Sequence, residues 1–88
     1  FIMEWYMYIL YSPILDRYYV GYTGDELAER LRRHNSKHRG FTGTAGDWRI
    51  IYTESFPDKL SAHQRELDIK RWKSRKKIEQ LIGAQHSG

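Results

Sequence analysis

The sequence predicts an α+β domain, a small three-stranded antiparallel sheet flanked by helices in the order β-β-α-β-α-α. Three observations carry this expectation. Two aromatic, strand-favouring runs, residues 5–12 and 17–22, are separated only by Pro13-Ile14-Leu15-Asp16, where proline cannot continue a paired strand and aspartate suits a turn. Two later stretches, 25–37 and 58–73, start at residues that cap helices and place apolar side chains at helical spacing. Between them, Trp48 to Phe56 forms a third strand centred on Ile50-Ile51-Tyr52 and closed by Pro57-Asp58.

The first two runs read as a hairpin, and its register decides which side chains meet. With Ser12 opposite Arg17, Tyr8 faces Gly21 and Leu10 faces Tyr19. Side chains alternate with period two, so Tyr8 and Tyr19 become neighbours on one face, and Tyr18 and Tyr22 point to the other. A slip of one residue would separate the pair. Gly21 has two readings: a close backbone approach or bulge, or an opening that leaves room for a phosphate above the sheet.

Asp25 or Thr23 is expected to cap the first helix, which runs to about Lys37. Its inward stripe is Leu27, Arg30, Leu31 and His34, so half of that stripe is polar and ionisable. A buried charge is costly unless paired. Either the stripe borders a cleft, or Arg30 pairs with a carboxylate and His34 bonds to backbone. Residues 38–47 contain three glycines and read as a loop without regular structure, with Arg39 and Thr42 in reach of nucleic acid. Asp58 or Ser61 caps the second long helix, to about Lys73. Within it Glu66 stands beside Ala62, Ile69 and Lys70, as a surface residue or as a rigidly held metal ligand. Ser74 opens a last helix carrying Ile78, Leu81 and Ile82, which is expected to end at Gly83. Residues 1–83 therefore read as one domain and 84–88 as a frayed tail, with Met3 as the expected natural start.

Composition narrows the function classes. Eighty-eight residues with 40% apolar content suit one domain with a modest core. No apolar run approaches the ~20 residues that span a bilayer, and no secretory pattern is seen. The absence of cysteine excludes disulfides and thiolate metal sites and makes a reducing cytoplasm the expected setting. The net charge of +4 is unevenly spread: six of the eight residues from Lys70 to Lys77 are basic, and Arg30, Arg32, Arg33, Lys37 and Arg39 form a second cluster. Such clusters attract phosphate backbones, unless they are only solvated helical faces.

In order along the chain, Tyr6-Met7-Tyr8, Tyr19-Val20-Gly21, Arg30 with His34 one turn later, and Gln64-Arg65-Glu66-Leu67 resemble the GIY-YIG nuclease family. The resemblance is to small stand-alone members similar to the nuclease domain of the bacterial excision-repair incision subunit. The first motif keeps only its tyrosine, and Tyr22 stands where some relatives carry a lysine. The resemblance implies a metal-dependent endonuclease acting on DNA, in repair or recombination, with Tyr8, Tyr19, Arg30, His34 and Glu66 as catalytic residues. It implies Mg2+ (or Mn2+) on Glu66, a phosphate oxygen on Arg30, and the attacking water positioned by the tyrosines. Tyr19 is the favoured base, with His34 as the backup base or proton acceptor behind it. Arg33, Arg39, Lys70, Lys73, Lys76 and Lys77 are the expected contacts to the nucleic-acid backbone. A module that binds without cutting, or a subunit active only with a partner protein, is the competing expectation.

Overall fold

The computed structural model of the protein describes residues 4–86. The sheet has the order β2-β1-β3 and is antiparallel throughout, with β1 (Trp5–Ser12) in the centre, β2 (Arg17–Thr23) on one side and β3 (Arg49–Phe56) on the other. The helices α1 (Leu27–Asn35), α2 (Lys59–Trp72) and α3 (Arg75–His86) follow the expected order. The hairpin register is the one the sequence predicts: Tyr8 pairs with Gly21, Leu10 with Tyr19 and Ser12 with Arg17.

Two apolar layers form on the two faces of the sheet. On one, Met7, Ile9, Val20 and Tyr52 pack against Ile69 of α2, with Trp72, Ile78, Leu81 and Ile82 around them. On the other, Tyr8, Leu10 and Trp48 pack with Tyr19 and with Leu27 and Leu31 of α1. The central strand is sealed on both sides: Met7, Ile9 and Leu10 are fully buried and Tyr8 is 1% exposed. Tyr8 is thus a polar group in the middle of the core, and its hydroxyl needs partners there.

Several boundaries differ from expectation, each for a visible reason. Helix α1 starts at Leu27, and its cap position is Glu26, which supplies no side-chain cap. Thr23 instead accepts a hydrogen bond from the Asp25 N–H, holding a turn before the helix and not capping it. The 38–47 segment contains a short 3-10 helix, Phe41–Thr44, and Thr42 is 2% exposed, so it does not reach nucleic acid. Asp47 ties the end of that segment to the hairpin by accepting from Ser12 Oγ (2.6 Å) and from the Ile14 N–H (2.8 Å). Helix α3 runs through Gly83 to His86, because Gly83 does not adopt the left-handed conformation that would end it. Residues 84–86 therefore continue the helix. The rest of the expected tail and Met3 lie outside the described residues. Helix α2 is capped by Asp58, which accepts from the Ser61 N–H at 2.8 Å. It ends at Lys73, whose φ of 48° turns the chain into α3. No helix among the described residues is long and apolar enough to cross a membrane.

Ile69 is the tie between α2 and the sheet. Replacing it with alanine is expected to lower stability by about 2–5 kcal/mol, a large share of what a domain of this size holds. The midpoint of urea unfolding measures this.

Candidate active site

The face of the sheet covered by α1 collects the tyrosine pair. The ring centroids of Tyr8 and Tyr19 are 6.5 Å apart, and the His34 ring lies 5.7 Å from the first and 4.9 Å from the second. Gly21 explains how the Tyr8 hydroxyl fits. A Cβ built on Gly21 would stand 2.6 Å from that oxygen and 3.0 Å from the Tyr19 ring. The space above this glycine is filled by the two tyrosines, and its pairing with Tyr8 is regular. The close-approach reading therefore holds; the glycine admits a side chain, leaving no room for a phosphate directly above it.

Helix α1 brings two partners to the buried phenol. Arg30 Nε donates to the Tyr8 hydroxyl at 3.1 Å, and His34 Nε2 lies 2.7 Å from it. The line continues outward: His34 Nδ1 is 2.7 Å from Thr42 Oγ1, which is 2.9 Å from His38 Nε2, and the Gly40 N–H donates to His38 Nδ1 at 3.0 Å. The stripe thus borders a cleft, and Arg30 pairs with a phenol where the alternative reading expected a carboxylate.

Proton counting constrains this line. Gly40 donates to His38 Nδ1, so His38 carries its proton on Nε2 and donates to Thr42. The five bonds need five protons, and the Arg30 Nε–H, the Gly40 N–H, two neutral imidazoles and two hydroxyls bring six. One hydroxyl proton is surplus. Tyr8 and Thr42 are both almost fully buried. Two directions therefore satisfy the line: Thr42 donates to His34 Nδ1 and His34 donates from Nε2 to Tyr8, or Tyr8 donates to His34 Nε2 and His34 donates from Nδ1 to Thr42.

The electrostatics agree with a neutral imidazole. Burial, then the Arg30 guanidinium, push His34 down to about 4. The Tyr8 phenol is pushed up by burial, while the hydrogen bond and charge of Arg30 pull the other way. The hydrogen bond from Arg30 to Tyr8 raises the arginine in turn.

Glu66 reaches the cluster from α2. It is 5% exposed, and its charge acts on the Tyr8 phenol. Its carboxylate is not bare: Lys70 Nζ lies 2.6 Å from Oε1, and His63 Nε2 lies 3.9 Å from Oε2. Lys70 also stands 5.7 Å from the centre of the Tyr19 ring. Expected as a backbone-contacting lysine, Lys70 belongs to the site itself. The Tyr19 hydroxyl makes no hydrogen bond among the described residues, so it is open to a ligand. Sequence reasoning passed over Lys70 in this role, although its spacing of four from Glu66 was a signal. It also missed His38, which has no signal without the fold.

The basic residues are less uniform than their clustering suggests. Arg33 lines a hollow of about 380 Å³ with Arg30, His34 and His38, and pairs loosely with Asp25 and Glu29 at 3.5 Å. Arg75 is fixed to Asp16 at 2.6 Å, pinning α3 to the hairpin turn. Arg39, Lys73, Lys76 and Lys77 are exposed. Among the described residues no group of three or more histidines or carboxylates is placed to hold a metal, so Glu66 stands as a single carboxylate donor. Magnesium keeps several waters and accepts such a site.

Imidazole nitrogen shifts in NMR spectra are expected to show His34 as a neutral ring in a single tautomer down to about pH 4, with the protonated nitrogen giving the direction of the line. Because folding depresses the His34 value below its ordinary 6.5, the folded state binds fewer protons. Stability from this group is complete above pH 6.5 and falls away as pH drops towards 4. The loss is expected to be smaller in His34→Gln, measured by thermal unfolding across that window.

The sequence matches the GIY-YIG catalytic domain over residues 4–79. It is 37% identical over 81 residues to the UPF0213 protein BH0048 of Halalkalibacterium halodurans, covering 91% of this chain and 83% of that protein. The solution NMR structure of the UPF0213 protein BH0048 from Bacillus halodurans superposes with a TM-score of 0.59 at 33% identity, covering 93% of this chain and 85% of that one. The sheet order, the tyrosine pair with its arginine and histidine, and the match over most of the chain lead to one conclusion: the protein belongs to the GIY-YIG family of nuclease domains.

Proposed function

We propose that the protein is a divalent-metal-dependent endonuclease that hydrolyses backbone phosphodiesters of DNA, in repair or recombination, in a cytoplasmic setting. The observation that carries this reading is the meeting at one buried phenol of Arg30, His34 and the charge of Glu66, with the free hydroxyl of Tyr19 beside it. This phenol is given two hydrogen-bond partners, and the charge of Glu66 acts on it.

Each side chain has a task. Arg30 spends its Nε–H on Tyr8, which leaves its terminal nitrogens for a non-bridging phosphate oxygen. Tyr8 holds the Arg30 guanidinium in place from within the core, and His34 keeps the phenol in position. Tyr19 orients the attacking water and, as the phenolate formed by losing its own proton to solvent, takes the proton of that water, with Lys70 over its ring. Glu66 would hold the Mg2+ or Mn2+ ion once Lys70 gives up Oε1, which its half-exposed side chain can do. When bound, such an ion neutralises charge on the leaving oxygen. Arg33, Arg39, Lys73, Lys76 and Lys77 would hold the flanking phosphates without reading bases.

A second reading, binding without cutting or cutting only with a partner protein, is favoured by the Lys70 ammonium on Glu66. Nicking of supercoiled DNA with and without Mg2+ separates the two: the nuclease reading expects nicks only with the ion, and an inert protein sinks it.

Tyr19→Phe is expected to lose on the order of 10²–10⁴-fold in cleavage rate at unchanged melting temperature. Tyr8→Phe is expected to lose activity and also stability, by about 1–3 kcal/mol, since Arg30 and His34 lose their partner. Tyr18→Phe, on the other face, is the control that stays active.

Glu66→Gln keeps shape and removes charge. It is expected to abolish cleavage and Mn2+ binding, the latter followed by electron paramagnetic resonance, with DNA affinity retained. Cleavage at the wild-type rate would show that the ion sits elsewhere.

A further inference from the structure

A second hollow borders Arg30 on the side away from His38, and none of the steps above uses it. It encloses about 470 Å³ and is lined by Trp5, Tyr22, Gly24, Asp25, Arg30 and Lys59. Trp5 and Tyr22 form its aromatic walls, with ring centroids 6.4 Å apart and planes inclined by 31°. Both rings are partly exposed. Tyr22 is held from behind by the His63 ring, stacked at 4.5 Å and 19°. Gly24 lets the indole lie directly on the loop: a Cβ there would come within 2.9 Å of the Trp5 ring. Lys59 Nζ stands 6.0 Å from the centre of the Trp5 ring. One acid, Asp25, faces the same space and shares its charge with Arg33 at 3.5 Å.

We propose that this hollow is a stacking subsite for an unpaired nucleobase next to the phosphate bound by Arg30, so that the protein prefers DNA with a single-stranded segment beside the cleavage point. The proposal rests on the nuclease reading above and deepens it by naming a substrate class. Aromatic faces stack on any base, whereas a base inside a duplex is already stacked on its neighbours and cannot enter. Lys59 and Arg30 flank the rings with the charge that phosphates on either side of a nucleotide require. Asp25 decides what lies between them. A carboxylate repels a phosphate but accepts a hydrogen bond from a base amine, so the hollow suits a base. Arg30 lines both this hollow and the one holding His34 and His38, so a strand with its phosphate on Arg30 has a path on each side.

The test is equilibrium binding by fluorescence anisotropy in EDTA, with three probes: a blunt duplex, the same duplex with a short single-stranded tail, and that duplex with an abasic sugar-phosphate tail of equal charge. The wild-type protein is expected to bind the base-bearing tail about tenfold more tightly than the abasic tail, the effect of one base–aromatic stack. Trp5→Leu is expected to erase that difference and Trp5→Phe to keep most of it. Lys59→Ala is expected to weaken both tails alike. Equal binding of the base-bearing and abasic tails by the wild-type protein overturns the subsite, and that comparison needs no variant to fold. If all three probes bind equally, the subsite fails while DNA binding stands. If none binds, the DNA reading fails and the subsite with it.

Discussion

The contact on which the rest depends is the seating of the Tyr8 hydroxyl over Gly21. The central strand is sealed on both faces, so a phenol there must find its partners within the protein. Gly21 makes the space, and the β1–β2 register puts glycine opposite tyrosine. Helix α1 then has to lie where Arg30 and His34 reach that oxygen, and Thr42 has to be buried where it meets His34. One polar atom in the core thereby fixes the hairpin register, the placement of α1 and the fold of the 38–47 segment.

Much of this was legible in the sequence, because it depends on short-range periodicity. Alternation in two strands joined by four residues determines which tyrosines share a face, and helical spacing places Arg30 and His34 on the stripe that looks inward. The readings that failed depend on long-range contacts or on local competition. Thr42 looks like a loop residue because nothing near it in sequence announces burial; its partners are His34 on α1, His38, and the Trp48 indole, which donates to its carbonyl at 2.8 Å. Gly83 looks like a helix end because glycine commonly is one, yet the helix continues through it. Thr23 is a good cap by type but is already occupied by the Asp25 N–H.

Charge shows the same division between pattern and pairing. The run from Lys70 to Lys77 reads as one basic surface, but its members do different things. Lys70 neutralises the buried Glu66, and Arg75 locks α3 to the hairpin turn. Exposed pairs of the second kind contribute little to stability. The first kind matters more, since an unpaired carboxylate at 5% exposure would be costly. Lys70 makes Glu66 tolerable at that depth.

The turn between α2 and α3 carries a further consequence. Lys73 holds a left-handed backbone conformation, where a side chain costs roughly 1–2 kcal/mol and glycine costs nothing. Such a position is the natural place for glycine at a helix end. A lysine there is not selected by the geometry of the turn. A lysine at this corner carries a backbone cost that glycine would not, and it displays its charge to solvent there.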